Sequence, residues 1–519
     1  MVIGDYFGRR ELYSPDETAI VDHGKSPELR LTFREMNARA NRLAHWLRHV
    51  AEVAVGDRVA ILAHDGVEHL DVFYACGKLG AIHVPLNWRL HPQELLQLVV
   101  KTTPRVLVYE EEFQSTVETI LAGLPTGALT LGKLLHLDGV GMPGSSPFAS
   151  VVEGPQQEPV TCDDLNPEDP ACILFTGGTT GLPKAVLISH RMIAWNVLNT
   201  IIHDLHHDDV VLNVYPLFHA GGLFCYWSSQ VVLGNTTIQV RRFNPEQVLN
   251  LIERERVTVF AGVPSMYQML TQAANWERAD LSSLRFCTSG GAPLPVPLIE
   301  KYVREKGVRF KQGFGMTEFG PGIFALAAED AVRKAGSIGR PNFFVEARVV
   351  DEENRPVGPG VVGELVLKGP SLCSGYFGEP RATAELVDER GYFHTGDLVT
   401  CDPEGYFTVV GRAKDMFISG GENVYPLEIE EVLYRHPAVA MCAVVGIPDP
   451  KWGEVGAACV VLKVGHAATE EEILRFLGQK LAKYKIPKRV VFLDGLPLSG
   501  MGKPLKEELR AGLIEGRIG

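Results

Sequence analysis

The sequence has 519 residues, 45% hydrophobic and 22% charged. That composition excludes a disordered chain and is long enough for about three domain-sized cores. The 50 Lys and Arg against 63 Asp and Glu leave a net charge of -13, the wrong sign for a whole-chain nucleic-acid footprint. The 9 cysteines are scattered without a CxxC pair, so free thiols in a reducing compartment are expected, with neither a disulfide frame nor a zinc site. Asp5, Arg9, Arg10, Glu11, Asp16 and Glu17 leave no apolar signal-peptide core near the start. No run reaches the roughly eighteen apolar residues of a spanning helix. A cytoplasmic protein with no integral membrane segment is the expectation.

The predicted elements alternate along the chain. Thr32 to Glu35 has the form of a capping box, and Met36, Ala40, Leu43, Ala44 and Leu47 continue at helical spacing. A strand is predicted over Arg58–Ala63, a helix over Val67–Leu79 with Gly80 as its terminator, and strands over Ala81–Pro85 and Val106–Tyr109. Strand, helix, strand in that order predicts parallel α/β layers. Residues 139–170, rich in Gly, Pro, Ser and acids, read as a surface loop leading into a strand over Ala171–Phe175. After Gly411-Arg412-Ala413-Lys414-Asp415 the pattern changes. A helix near Leu427–Arg435, strands near Val439–Gly446 and Ala457–Lys463, and a helix near Glu470–Leu481 form a small α+β unit. The expected fold is therefore α/β: a large N-terminal domain, residues 1–411, with parallel-type sheets, and a small C-terminal α+β domain, residues 412–519.

The chemistry concentrates in a few segments. Phe175-Thr176-Gly177-Gly178-Thr179-Thr180-Gly181-Leu182-Pro183-Lys184 combines backbone N–H groups made accessible by glycine, hydroxyl donors and an ammonium, which together suit phosphate. Pro183 and Ala185 flank the lysine where a Walker A motif needs Gly and Ser or Thr, so that motif is excluded. Gln312-Gly313-Phe314-Gly315-Met316-Thr317-Glu318 offers a ring that can stack, small residues for close approach and a carboxylate suited to Mg²⁺. Glutamate at 318 also denies Gly313-x-Gly315 the third glycine of a dinucleotide fingerprint. Asp397 ends Tyr392-Phe393-His394-Thr395-Gly396-Asp397 as an acid suited to a ribose diol, and Arg412 supplies a guanidinium. Ser419-Gly420-Gly421-Glu422-Asn423 is a glycine turn, and Gly500-Met501-Gly502-Lys503 carries a lysine.

In this order and spacing, from about residue 30 to 510, the segments resemble the adenylate-forming superfamily of acyl-CoA synthetases, luciferases and peptide-synthetase adenylation domains. The resemblance implies ATP, Mg²⁺ and coenzyme A as ligands, with a small-molecule carboxylic acid as substrate. It implies that Thr176 to Lys184 wraps the ATP phosphates. Gly291, Ala292 and Pro293, within Ser289–Leu294, would lie against adenine and the acyl pocket. Gly313, Phe314, Gly315, Met316 and Thr317 would flank the adenine, with Phe314 in the place of a common tyrosine. Thr179 and Glu318 would associate with Mg²⁺, and Asp397 and Arg412 would hold the ribose. Lys414 would be the hinge on which the small domain rotates, and Lys503 the catalytic lysine of adenylation. Gly177, Ala185, Leu498 and Ser499 depart from residues common in the family.

In amino-acid-activating relatives an aspartate near the Phe218 position pairs with the substrate ammonium. Here Pro216-Leu217-Phe218-His219-Ala220-Gly221-Gly222 has His219 at that place, so an apolar acid is expected, with a gating role for His219. The apolar stretch Gly222–Val232 suggests lining for a fatty tail, medium to long, with an aryl acid as the alternative. For coenzyme A, Gly420 and Gly421 would pass the pantetheine arm beside Tyr484, although a carrier protein is an alternative acceptor. A homodimer is left open. His203, His206, His207, Asp208 and Asp209 have metal-ligand composition but fall in a polar turn.

Overall fold

The computed structural model describes residues 4–125, 133–176, 183–292, 294–419, 421–499 and 504–518. The chain divides into two compact units: Met1–Glu346 with Lys368–Phe393, and Ala347–Leu367 with His394–Gly519. These units follow spatial contacts, whereas the 411/412 boundary follows motif order and falls inside the second unit.

The first unit is α/β, built on two largely parallel sheets. One sheet has 8 strands. It runs from Gly375–Tyr376 through Lys184–Ser189, Pro170–Thr176, Ile82–Pro85, Arg58–Leu62, Val106–Tyr109 and Lys133–His136 to Ser145–Pro147. Its middle strands pair in parallel. The other sheet orders Ser337–Pro341, Gly320–Leu326, Phe310–Met316, Phe286–Gly290, Val259–Gly262, Val210–Asn213, Thr236–Gln239, Thr18–Asp22 and Leu29–Thr32. The run from Phe310–Met316 to Thr18–Asp22 is parallel throughout. Strands buried on both faces explain the unbroken apolar runs, such as the fully buried Val106–Tyr109.

Local signals act as the sequence predicts at several points. Helix Phe33–His49 starts on Thr32, whose hydroxyl accepts from Glu35 N while the Glu35 carboxylate accepts from Thr32 N. Thr32→Ala should cost about 1 kcal/mol, read as a lower denaturant midpoint at unchanged slope. Helix Val67–Leu79 ends on Gly80 at φ 72, a left-handed conformation that favours glycine. These two helices are joined by a buried ion pair: Arg39 Nε donates to both Asp71 oxygens at 3.1 Å and Nη2 to Oδ2 at 2.6 Å.

The expectation of plain loop over residues 139–170 is corrected. The segment contains strand Ser145–Pro147 and helix Phe148–Val152, and it buries Phe148 and Val152 against Leu43, Leu47 and Val59. Two apolar side chains one helical turn apart outweigh the surrounding Gly, Pro and Ser. The metal-like residues near His203 are also explained by ordinary pairing. Asp209 accepts from Arg285 at 2.9 and 2.7 Å and from Thr258 at 2.6 Å. His203 Nε2 lies 2.7 Å from Asn342 Oδ1. Among the described residues no three His, Cys, Asp or Glu side chains converge as a metal site.

The second unit carries strands Glu346–Val350, Gly363–Lys368, Phe393–Cys401 and Phe407–Arg412 in that order. It also carries a 5-stranded α+β layer in which Gly453–Leu462 is central, flanked by Phe417–Ser419 and Val439–Asp449, with Arg489–Phe492 alongside. Helices Pro426–Leu433 and Glu470–Gly478 cover one face of this layer through Ile429, Leu433, Ile473 and Leu477. Among the described residues, no helix is long and apolar enough to cross a membrane.

Candidate active site

The glycine- and threonine-rich segment lies between two paired strands. Pro170–Thr176 and Lys184–Ser189 pair antiparallel, with Thr176 opposite Lys184. Gly177, Gly178, Thr179, Thr180 and Gly181 lie outside the described residues. At the exit, Lys101 Nζ donates to Pro183 O at 3.2 Å and to Glu379 at 2.5 Å. The Lys184 ammonium sits 4.5 Å over the Tyr376 ring. Neither Lys101 nor Tyr376 belongs to a glycine-rich motif, so sequence reading passes over both.

Two parallel strand ends bring the next predicted residues together. Ser289 is level with Gln312, and Gly290 with Gly313. Gln312 Oε1 accepts from Leu294 N at 2.9 Å, fixing the turn that contains Gly291 and Ala292; Pro293 lies outside the described residues. The Phe314 ring packs edge-on to Phe324 at 5.8 Å. A Cβ on Gly315 would come within 2.4 Å of the Pro321 backbone, so this position tolerates no side chain. Met316 ends the strand, and Thr317 and Glu318 form the following turn, where Glu318 O accepts from Cys373 N at 2.8 Å.

His219 sits in a short turn, with its N–H on Pro216 O at 3.1 Å and its carbonyl accepting from Leu223 N at 3.1 Å. A π-helix, Gly221–Ser228, follows and passes into α-helix Ser229–Leu233. The wide turn is supported by side chains: Ser228 donates to Leu223 O at 3.0 Å and Ser229 to Phe224 O at 3.3 Å. Leu223, Phe224, Trp227 and Val231 are not open lining. They pack into the core with Phe7, Phe33 and Tyr74. Gly221 and Tyr226, five residues apart on one face of the π-turn, keep partial exposure. The Tyr226 ring stacks on Tyr215 at 5.6 Å with planes 5° apart, and the Tyr215 hydroxyl lies 3.6 Å from a Cβ built on Gly290. Burial raises both phenols, so both stay neutral. Burial also pushes the Cys225 thiol up to about 11, which removes it as a nucleophile.

In the second unit Asp397 and Arg412 face each other across adjacent antiparallel strands. Arg412 Nε donates to Asp397 Oδ1 at 2.7 Å, and Asp397 N donates to Thr395 Oγ1 at 3.0 Å. Lys414 stands exposed in the turn after Arg412, Gly421 in the hairpin after Ser419, and Tyr484 in a short 3-10 turn whose Lys485 pairs with Glu428 at 2.7 Å. Gly420 and Lys503 lie outside the described residues.

Family models for the AMP-binding enzyme and for the AMP-binding enzyme C-terminal domain match residues 9–377 and 428–503. The chain belongs to the AMP-binding enzyme family. It is 42% identical over 509 residues to a feruloyl-CoA synthase of an Amycolatopsis species. It is 36% identical over 517 residues to a long-chain-fatty-acid–CoA ligase of Mycobacterium tuberculosis; both alignments cover 98% of each chain. The ATP-bound crystal structure of MatB from Rhodopseudomonas palustris superposes with a TM-score of 0.88 at 31% identity, covering 99% of each chain.

Proposed function

We propose that this AMP-binding enzyme is an AMP-forming CoA ligase whose substrate is an aryl carboxylic acid. A carboxylate is a poor acyl donor because its leaving group would be an oxide. Attack of the carboxylate on the α-phosphate of ATP forms an acyl–AMP anhydride and releases pyrophosphate. The coenzyme A thiol then attacks the acyl carbonyl, its proton is lost, and AMP departs. In this reading Thr176 to Lys184 binds the phosphates, Phe314 packs on adenine, and Asp397 with Arg412 takes the ribose hydroxyls. Lys503 neutralises the approaching carboxylate and α-phosphate. Lys414 serves as hinge, and Gly420, Gly421 and Tyr484 border the pantetheine path.

Glu318, a carboxylate in the turn after Met316, fits Mg²⁺, which is commonly held by one or two protein carboxylates plus phosphate and water. Thr179 would join it. The ion supplies charge neutralisation of the triphosphate when bound.

The π-turn face carries the choice of acid. With Leu223, Phe224, Trp227 and Val231 committed to the core, Gly221 and Tyr226 are the partly exposed positions of the π-turn, Tyr226 backed by the buried Tyr215 ring, and this flat aromatic face suits a ring better than a long flexible chain. The 42% identity to a feruloyl-CoA synthase points the same way. The test is pyrophosphate release, with and without coenzyme A, using hydroxycinnamate, benzoate, dodecanoate, hexadecanoate and phenylalanine. Hydroxycinnamate or benzoate should exceed both fatty acids in kcat/KM by about tenfold or more, a modest pocket discrimination, and phenylalanine should be inert. A fatty acid as the best substrate would overturn the aryl reading.

A further inference from the structure

Between strand Arg58–Leu62 and helix Val67–Leu79 the chain passes through His64, Asp65 and Gly66. Asp65 is buried, yet it does not cap the adjacent helix: Val67 N is taken at 2.9 Å by Asp22 Oδ2. The Asp65 carboxylate reaches across 152 positions of sequence instead, accepting from Leu217 N at 2.7 Å. Leu217 lies two residues before His219. Phe218, the residue between them, is buried, with the Arg89 guanidinium 5.7 Å over its ring and the His219 ring 4.7 Å away. Asp65 and Arg89 thus contact Leu217 and Phe218, the two residues immediately before His219.

We propose that Asp65 is a positioning residue for acid recognition, fixing the Pro216–Gly222 turn through its hydrogen bond to Leu217 N. Arg89 is the second contact of the brace. The inference rests on the reading of Pro216–Gly222 as the segment that meets the acid. The Leu217 amide is where a side chain from a distant strand end fixes the backbone of this turn, whose Leu217 and Ala220 also pack into the core. His219 N bonds within it, to Pro216 O, and the π-turn begins immediately after. The space beside Asp65, bounded by Asp22, His64 and Glu110, is about 10 Å³. Asp65 itself is buried, so one more methylene at this position must displace a neighbour or move the carboxylate off the Leu217 amide. Burial pushes the Asp65 carboxyl up to about 7, so asparagine is a close mimic of its protonated form and retains the acceptor oxygen.

The test compares Asp65→Leu, Asp65→Asn and Asp65→Glu in the full-length protein. Amide hydrogen exchange of the peptide spanning residues 214–220 is followed without any substrate. KM for the acid and KM for ATP are measured separately, using whichever acid the wild type turns over best. Asp65→Leu should deprotect the Leu217 amide and raise the acid KM about tenfold or more, with the ATP KM within about twofold, because the buried Leu217 N–H loses its acceptor and the turn its anchor. Asp65→Asn should keep the protection and recover the acid KM to within about threefold, while Asp65→Glu should behave as the leucine variant. If the leucine variant does not fold, the asparagine–glutamate contrast decides. Equal effects on both KM values, or an asparagine variant no better than glutamate, would overturn the positioning role. A wild type that turns over no acid would overturn the functional reading, whereas an active wild type with an unchanged acid KM in Asp65→Leu and Asp65→Glu would overturn only this inference.

Discussion

Lys503→Ala is expected to lower acyl-adenylate formation by about 10²–10³ while leaving thioester formation from presynthesised acyl-AMP and coenzyme A near normal. The attacking carboxylate and the triphosphate are both anions, so adenylation needs a cation where they meet. Removing one preorganised donor from such a transition state costs about that factor. The second half-reaction brings a thiol to a carbonyl and carries no such repulsion, so it should not need the same ammonium. Two separate assays read the result: pyrophosphate release in the absence of coenzyme A, and thioester yield from supplied adenylate. A lysine that is simply solvated predicts almost no change in either. Equal loss in both would assign Lys503 a structural or general electrostatic part. Acetylation of Lys503 removes the same charge and should reproduce the alanine phenotype.

The largest expected effect on stability is at Asp71. Its carboxylate is fully buried and the Arg39 side chain facing it is 10% exposed, so Asp71→Leu leaves a guanidinium with its principal partner gone inside the first α/β layer. Breaking a buried pair from one side costs about 3–5 kcal/mol, which should appear as a marked drop in denaturant midpoint. The double variant Arg39→Met/Asp71→Leu removes both charges and should recover most of that loss, since a buried pair replaced by apolar groups of similar volume is commonly near neutral. Failure of the double variant to recover would mean that the pair contributes through contacts other than its charge.

The parts of the fold that could be read from sequence are those with a local physical cause. Thr32 with Glu35 and Gly80 announce helix ends because capping and a left-handed terminator act within one turn. The family's motifs are visible because glycine, threonine and acids cluster in short segments; among them, Asp397 and Arg412 lie 2.7 Å apart. What sequence reading misses depends on distant partners. Phe148 and Val152 look like loop residues until Leu43 and Leu47 are beside them. Gly222–Val232 reads as apolar lining because hydropathy cannot tell a core face from a pocket face. The π-turn decides it: its i→i+5 hydrogen-bond pattern widens the turn and leaves Gly221 and Tyr226 as its partly exposed positions. Asp65 gives no sequence signal, because its partner is a backbone amide 152 positions away.

The central claim is that a carboxylate oxygen attacks the α-phosphate of ATP. It is tested most directly by supplying an aryl acid whose carboxyl oxygens carry a heavy isotope, with ATP and coenzyme A, and weighing the nucleotide product. AMP should bear one heavy oxygen on its phosphate, pyrophosphate should be unlabelled, and the thioester should retain the other label. Unlabelled AMP, or ADP formed with label in orthophosphate, would contradict it.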